Sequence, residues 1–171
     1  MTQQLTIREY RPGDLQQVLD LVRELERELS EKFAGVTVKS SVDDYRKRYL
    51  NPANKYKTFV AVFGGRIIGF LLGYPSLGAP EIDTMYDALP LPKGEQPPEF
   101  YLQLAFVFRP FRKKGISTRL HERVIAYARE NGFKEVYACI AKWNDPELRV
   151  VRSLRFQAKD LRYRYRLTLK L

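Results

Sequence analysis

The sequence predicts an α/β domain: a twisted, mixed, mostly antiparallel sheet of about seven strands flanked by four helices. Three observations carry this. Residues 15–32 and 116–131 each repeat apolar side chains at helical spacing. The runs Leu102–Phe108 and Glu135–Ala141 are apolar but too short for helices, so they read as buried strands. Gly64-Gly65 divides two further apolar runs in the manner of a tight hairpin. A chain of 171 residues suits one domain spanning residues 1–171, since domains usually hold roughly 100–200 residues.

Taken in order, Leu5–Tyr10 alternates polar and apolar residues and predicts a first strand, turned by Arg11-Pro12-Gly13. Asp14 with Gln17 resembles a capping box at the start of the first helix. Leu15, Val18, Leu19, Val22, Leu25 and Leu29 form its apolar stripe. A short second helix is expected over residues 42–50, capped by Ser41 and stopped by Asn51-Pro52. Thr58–Phe63 and Arg66–Leu72 then form the hairpin, whose glycines supply the positive φ angles of a two-residue turn. From Tyr74 to Pro98 the chain carries six prolines and little periodicity, so a long loop is expected there. With Glu99 it holds Glu81, Asp83, Asp87 and Glu95 against Lys93 alone, an environment that suits a cationic substrate. After the central strand and helix come the strand Glu135–Ala141 and a short helix to about Leu154, opened by Asn144-Asp145-Pro146-Glu147. Phe156–Ala158 and Arg162–Leu171 close the chain, the latter alternating Tyr or Leu with Arg, Thr or Lys.

The stretch Arg112-Lys113-Lys114-Gly115-Ile116-Ser117-Thr118 joins the central strand to the central helix. Cations in front of a helix are electrostatically wrong, because that end already carries about half a positive charge. An anion held by the first amides of the helix removes the conflict, and Gly115 lets the backbone approach it without a Cβ in the way. No P-loop and no dinucleotide-binding glycine signature is present, so the loop reads as a phosphate site of another kind, the alternative being a solvated basic loop between two core elements.

Charge is distributed accordingly. Residues 1–99 hold 13 Lys and Arg against 14 Asp and Glu, whereas residues 100–171 hold 17 against 6. The whole excess of +10 therefore lies in the half with the proposed anion loop, which points to a polyanionic partner, either a phosphorylated cofactor or nucleic acid. The single cysteine, Cys139, cannot form an internal disulfide, and Met1–Gln4 leads into a strand with no secretory pattern. A cytoplasmic location without a membrane span is expected. His121 is placed on the polar side of its helix, Cys139 in the core, and Trp143 in packing. No His, Cys or Asp cluster has metal-ligand spacing.

The element order and the run Val107-Phe108-Arg109-Pro110-Phe111-Arg112-Lys113-Lys114-Gly115-Ile116-Ser117 resemble the GNAT superfamily of acetyl-coenzyme A-dependent N-acetyltransferases. The proline is displaced by one place, and Ser117 stands where the family has a second small residue. A further family motif, N-x-x-A-x-x-x-Y-x-x-x-G-F, aligns with Asn144, Glu147, Val151, Arg155 and Phe156, of which only the asparagine and phenylalanine agree. The resemblance implies a single-domain GNAT-like fold with acetyl-CoA as co-substrate. The amides of Lys113, Lys114, Gly115, Ile116, Ser117 and Thr118, with Arg112 and Asn144 nearby, would bind it. The main chain of Phe106, Val107 and Phe108 would pair with its pantetheine arm where a bulge splays the central strand from the next. Counting back from Gly115, the usual catalytic glutamate falls on Tyr101, so Glu99 is the candidate base through water, with Tyr101 and Gln103 beside it. The amide of Val107 would polarise the thioester carbonyl. The usual proton donor to the thiolate falls on Val151, leaving Ser153, Tyr163 or unaided departure as alternatives.

These expectations describe an N-acetyltransferase acting on a primary amine of a cationic small molecule or peptide. Two rivals stand beside it: a non-catalytic acyl-CoA sensor, favoured by Val151, and a nucleic-acid-associated module, favoured by the basic second half. The terminal strand, read as an exposed edge, suggests pairing with a second copy.

Overall fold

The computed structural model describes residues 4–32, 42–51, 56–76 and 98–171. Along them run β1 (Thr6–Glu9), α1 (Leu15–Lys32), α2 (Val42–Asp44), β2 (Lys57–Phe63), β3 (Arg66–Ser76), β4 (Glu99–Val107), α3 (Ile116–Glu130), β5 (Glu135–Ala141), α4 (Asp145–Ser153), β6 (Gln157–Asp160) and β7 (Arg164–Lys170). This is the expected order. The strands form one mixed sheet of seven in the order β1-β2-β3-β4-β5-β7-β6, with β4 and β5 parallel. The chain divides into two compact units, Met1–Leu72 with Leu104–Leu120, and Gly73–Gln103 with His121–Leu171.

In the first unit, Val18, Leu19 and Val22 of α1 are fully buried against Val60, Ile67 and Phe70, as the helical stripe requires. Burying each such side chain contributes roughly 1.5–3 kcal/mol. Gly64 and Gly65 adopt φ of 58° and 77°, the conformation of the predicted hairpin turn. The start of α1 differs from the expected Asp14–Gln17 box. Asp14 reaches back to accept the amide of Arg11 at 2.8 Å and the guanidinium of Arg8 at 2.6 and 2.8 Å. Gln17 instead accepts the Ile67 amide at 2.9 Å. The expected second helix is α2 followed by a π-helical turn, Tyr45–Tyr49, which lets the Leu50 amide reach the Tyr45 carbonyl at 2.9 Å.

The Arg8 hydrogen bond, with the Arg11 amide, holds the Asp14 carboxyl below its ordinary value despite burial. A depressed folded-state pKa stabilises the fold above the unfolded value and loses that effect as pH falls through the folded value. Asp14→Asn is therefore expected to lower stability by about 1 kcal/mol at neutral pH. In urea melts that gap from wild type should begin to narrow below about pH 4 and close only as pH falls further, through the depressed folded-state value.

In the second unit, β7 pairs antiparallel with β5 over seven positions and with β6 over four. The terminal strand is thus interior to the sheet, and the edge is β6. The expectation of an exposed terminal edge is corrected: β6, with four exposed residues, has no apolar pattern to announce it. Two further boundaries move. β3 continues through Pro75 to Ser76, and β4 begins at Glu99. The acidic residues Glu81, Asp83, Asp87 and Glu95, together with Lys93, Ser41 and Pro52, lie outside the described residues.

Helix α4 ends in a tight reversal: the Phe156 amide returns to the Val151 carbonyl at 3.1 Å, and Arg155 takes φ of 66°. A side chain there crowds the backbone, so Arg155→Gly should stabilise the fold by about 1 kcal/mol. For a chain of this length the melting midpoint should then rise by about 2–4 °C.

Candidate functional site

The loop before α3 is built by alternating backbone hand. After β4, Arg109–Phe111 makes one tight turn, closed by the Arg112 amide on the Arg109 carbonyl at 3.2 Å. Lys113 and Gly115 then take φ of 62° and 72°, with Lys114 between them outside the left-handed region. Such alternation turns successive amides into a concave, anion-receiving nest. The Arg119 amide donates to the Gly115 carbonyl at 3.1 Å, which makes Gly115 the N-cap of α3. The amides of Gly115, Ile116 and Thr118 accordingly have no acceptor within the helix. A Cβ on Gly115 would meet nothing within 4 Å, so the space beside this residue is open.

The side chains of this loop divide in two. Lys113 and Lys114 are exposed, Lys114 reaching across the Phe111 ring at 5.4 Å. Arg112 is also exposed but folds back onto the protein. Its Nε donates to the Val107 carbonyl at 2.7 Å, and its Nη2 to both oxygens of Glu28 at 2.8 and 2.7 Å. Arg112 thereby ties the loop to β4 and to α1. Glu28 carries no sequence motif, and nothing in the sequence alone would have paired it with Arg112.

The strand that leads into this loop is irregular. Its ladder with β5 runs from Glu99↔Glu135 to Leu102↔Ala138 and ends there, although β4 continues to Val107. Burial alternates at Phe100 and Leu102, fails over the half-buried Gln103, Leu104 and Ala105, and resumes with two adjacent buried residues, Phe106 and Val107. Regular pairing thus stops at Gln103. Past that point, Phe108 donates its amide to the Ile68 carbonyl at 2.9 Å. Strand alternation then directs the Val107 amide to the opposite edge. Gly69 permits the close approach of β3 here, since a Cβ on it would lie 2.9 Å from the Phe106 carbonyl.

Glu99 and Tyr101 share one face of β4 in a group the sequence did not suggest. Glu99 is ion-paired through both oxygens to Nη2 of Arg166, at 3.1 and 3.2 Å. The Arg166 guanidinium lies 4.3 Å from the ring centre of Tyr137. Tyr137 packs on Tyr101 at 4.9 Å, and Tyr101 on Tyr74 at 5.2 Å. The buried Tyr137 hydroxyl shares a hydrogen bond of 2.7 Å with Ser76. Burial pushes the Tyr137 phenol up to about 12, the Ser76 contact opposing it, so this hydroxyl stays protonated at neutral pH. Glu99 is therefore a strand residue beside Tyr101, as its role of candidate base requires, with a guanidinium partner that the sequence did not suggest. In the sequence Arg166 is one of the polar residues that alternate with Tyr and Leu along the terminal strand. The period-2 register of β7 is the signal that could have found it.

The remaining candidates are spread over α4 and its surroundings. Asn144 caps α4 through its carbonyl, which accepts the Leu148 amide at 3.1 Å, and its side chain makes no capping bond. Val151 is fully buried. Ser153 donates to the Val150 carbonyl at 2.7 Å, and Tyr163 is 62% exposed. His121 corrects the sequence reading. It is 1% exposed and meets Glu147 at 2.9 Å. On a helical wheel it falls between Ala128 and Ile125, inside the apolar arc, a placement the polar-face assignment overlooked. Cys139 is half-buried, with its thiol pushed up by burial, and Trp143 is 52% exposed, so neither is a core residue.

Residues 19–156 match the model of the acetyltransferase (GNAT) family. No curated protein matches the chain in sequence. Among solved structures, the GNAT domain of S. lividans PAT is similar at 17% identity, covering 96% of this chain and 89% of that one, with a TM-score of 0.74. NAA60 from Arabidopsis thaliana, in complex with acetyl-CoA, is similar at 16% identity, 98% and 99% coverage and a TM-score of 0.67. An aminoglycoside acetyltransferase from an uncultured soil metagenomic sample is similar at 22% identity, 92% and 91% coverage and a TM-score of 0.64. At such identities the likeness is one of fold.

Proposed function

Because the chain belongs to the acetyltransferase (GNAT) family, we propose that it moves an acetyl group from acetyl-coenzyme A to a primary amine of a cationic small molecule or peptide. The observation that carries this is the loop before α3, where the helix-opening amides of Gly115, Ile116 and Thr118 stand beside two exposed lysines and a Cβ on Gly115 would meet nothing within 4 Å. That donor set fits a pyrophosphate: backbone N–H groups, a helix N-terminus and flexible cations, with Gly115 leaving room. Acetyl-coenzyme A supplies the activated acetyl group as a thioester. The Val107 amide, turned away from β3, is the group we assign to its pantetheine arm or to the carbonyl oxygen. Phe106 and Phe108 hold that segment of β4 against β3.

The amine must be neutral to attack, and Glu99, reached through water, is the proposed proton acceptor. Arg166 fixes the direction of that carboxylate. The amine class is supported by the similar structures, one an aminoglycoside acetyltransferase. A thiolate with a pKa of about 8.5 is a tolerable leaving group without a donor at Val151.

The test is acetyl-coenzyme A with a panel of a polyamine, an aminoglycoside and a peptide with a free N-terminus, reading free thiol. Release above hydrolysis is expected with at least one of them. Glu99→Gln should cut kcat/KM by about 10²-fold while leaving the melting shift given by acetyl-coenzyme A in place. The buried Val151, where the family motif has tyrosine, favours a second reading as an acyl-CoA sensor. A melting shift with no thiol release on any amine would support that reading over the transferase.

A further inference from the structure

Among the described residues of the second unit, two large aromatic side chains, Trp143 and Tyr163, are exposed, to 52% and 62%. They sit on different loops, Trp143 between β5 and α4 and Tyr163 between β6 and β7. The Lys142 amide donates to the Tyr163 carbonyl at 3.3 Å, so the two loops meet. Cations lie on the neighbouring aromatic residues of the same strand end. Arg162 lies over Tyr163 at 5.0 Å, while Lys142 and Arg152 flank Tyr165 at 5.3 and 5.6 Å. Residues 142–164 carry seven Lys and Arg against three Asp and Glu. Two of those acids are already paired, Glu147 with His121 and Asp160 with Lys142.

We propose that this patch binds single-stranded nucleic acid. Exposed aromatic rings on loops that adjoin β-strands offer stacking platforms for bases, and the cations near them would pair with a charged backbone. Stacking is indifferent to base identity, so the binding is broad in sequence. The patch is too cationic and its apolar area too small for a membrane anchor, which needs a continuous apolar face. This inference does not rest on acetyl transfer, and its failure would leave the transferase reading where it stands.

Trp143 is the only tryptophan of the chain, so its fluorescence reports on this patch alone. The experiment titrates a fluorescein-labelled fifteen-nucleotide poly-dT (about four phosphates in contact) into the full chain, reading anisotropy and tryptophan quenching together. Quenching with saturable anisotropy is expected. Affinity should fall by roughly 50-fold between 50 and 200 mM salt. Tyr163→Ala and Trp143→Ala should each weaken binding by roughly tenfold with unchanged melting. An Arg162→Gln, Arg152→Gln pair should flatten the salt dependence. Three results would overturn the proposal: binding without quenching, aromatic variants that bind like wild type, or tighter binding to phosphatidylglycerol vesicles than to the oligonucleotide. Quenching by acetyl-coenzyme A that displaces the oligonucleotide would also overturn it, by assigning the patch to the cofactor.

Discussion

Gly115→Glu is expected to abolish the melting shift that acetyl-coenzyme A gives the wild-type protein. A ligand at a hundred times its Kd stabilises a fold by about 2.7 kcal/mol. For a chain of this length that is a rise of about 5–11 °C. Glutamate at this position places a carboxylate in front of the amides meant for the pyrophosphate, so like charges repel at the mouth of the nest. It also enters a backbone at φ of 72°, where any side chain costs roughly 1–2 kcal/mol. That strain lowers the melting point of the free protein without touching the core, because the space around the new Cβ is open. Gly115→Ala separates the two effects. It carries the same strain and no charge, so it should melt lower alone yet keep a measurable shift. A Gly115→Glu protein that retained the full shift would place the coenzyme elsewhere.

That loop shows how far the sequence could be read and where it stopped. Three cations before a helix announced an anion, and the glycine announced a left-handed backbone, both from local chemistry. What local chemistry could not reveal was that Arg112 belongs to Glu28, 84 residues earlier in the chain. An arginine on a loop and a glutamate on an amphipathic helix look alike whether they meet or face water. The Glu99–Arg166 pair failed to show for the same reason, being 67 residues apart. The fold was legible because period and turn chemistry are local: α1 and the Gly-Gly hairpin fell where the stripe and the glycines put them. β6 was not legible as an edge, since four exposed residues carry no period. The burial of His121 was legible too, since its wheel position lies between Ala128 and Ile125 whatever the polarity of its ring.

Gly73→Ala should have the opposite signature: a lower melting point with the acetyl-coenzyme A shift intact. A Cβ at Gly73 would lie 2.4 Å from a ring carbon of Phe100 and 2.7 Å from the Tyr101 carbonyl. The ring has nowhere to retreat, since Phe100 is fully buried and wedged against Tyr127 and Phe133 at 5.7 and 5.3 Å. Overpacking of this kind costs about 1–3 kcal/mol, or a fall of roughly 2–12 °C here. Phe100→Leu alone also destabilises, by removing ring contacts and leaving a cavity. Together the two changes should be better than the sum of their separate costs, because the smaller side chain makes room for the new methyl. A double-mutant cycle in urea should give a favourable coupling of about 1 kcal/mol, above the few tenths seen for independent sites. Additive behaviour would mean that the Tyr101 carbonyl, and not the ring, resists the methyl, and β3 must then move away from β4. In that event the packing of Tyr74 in β3 on Tyr101 in β4 is lost, and thiol release should fall together with stability.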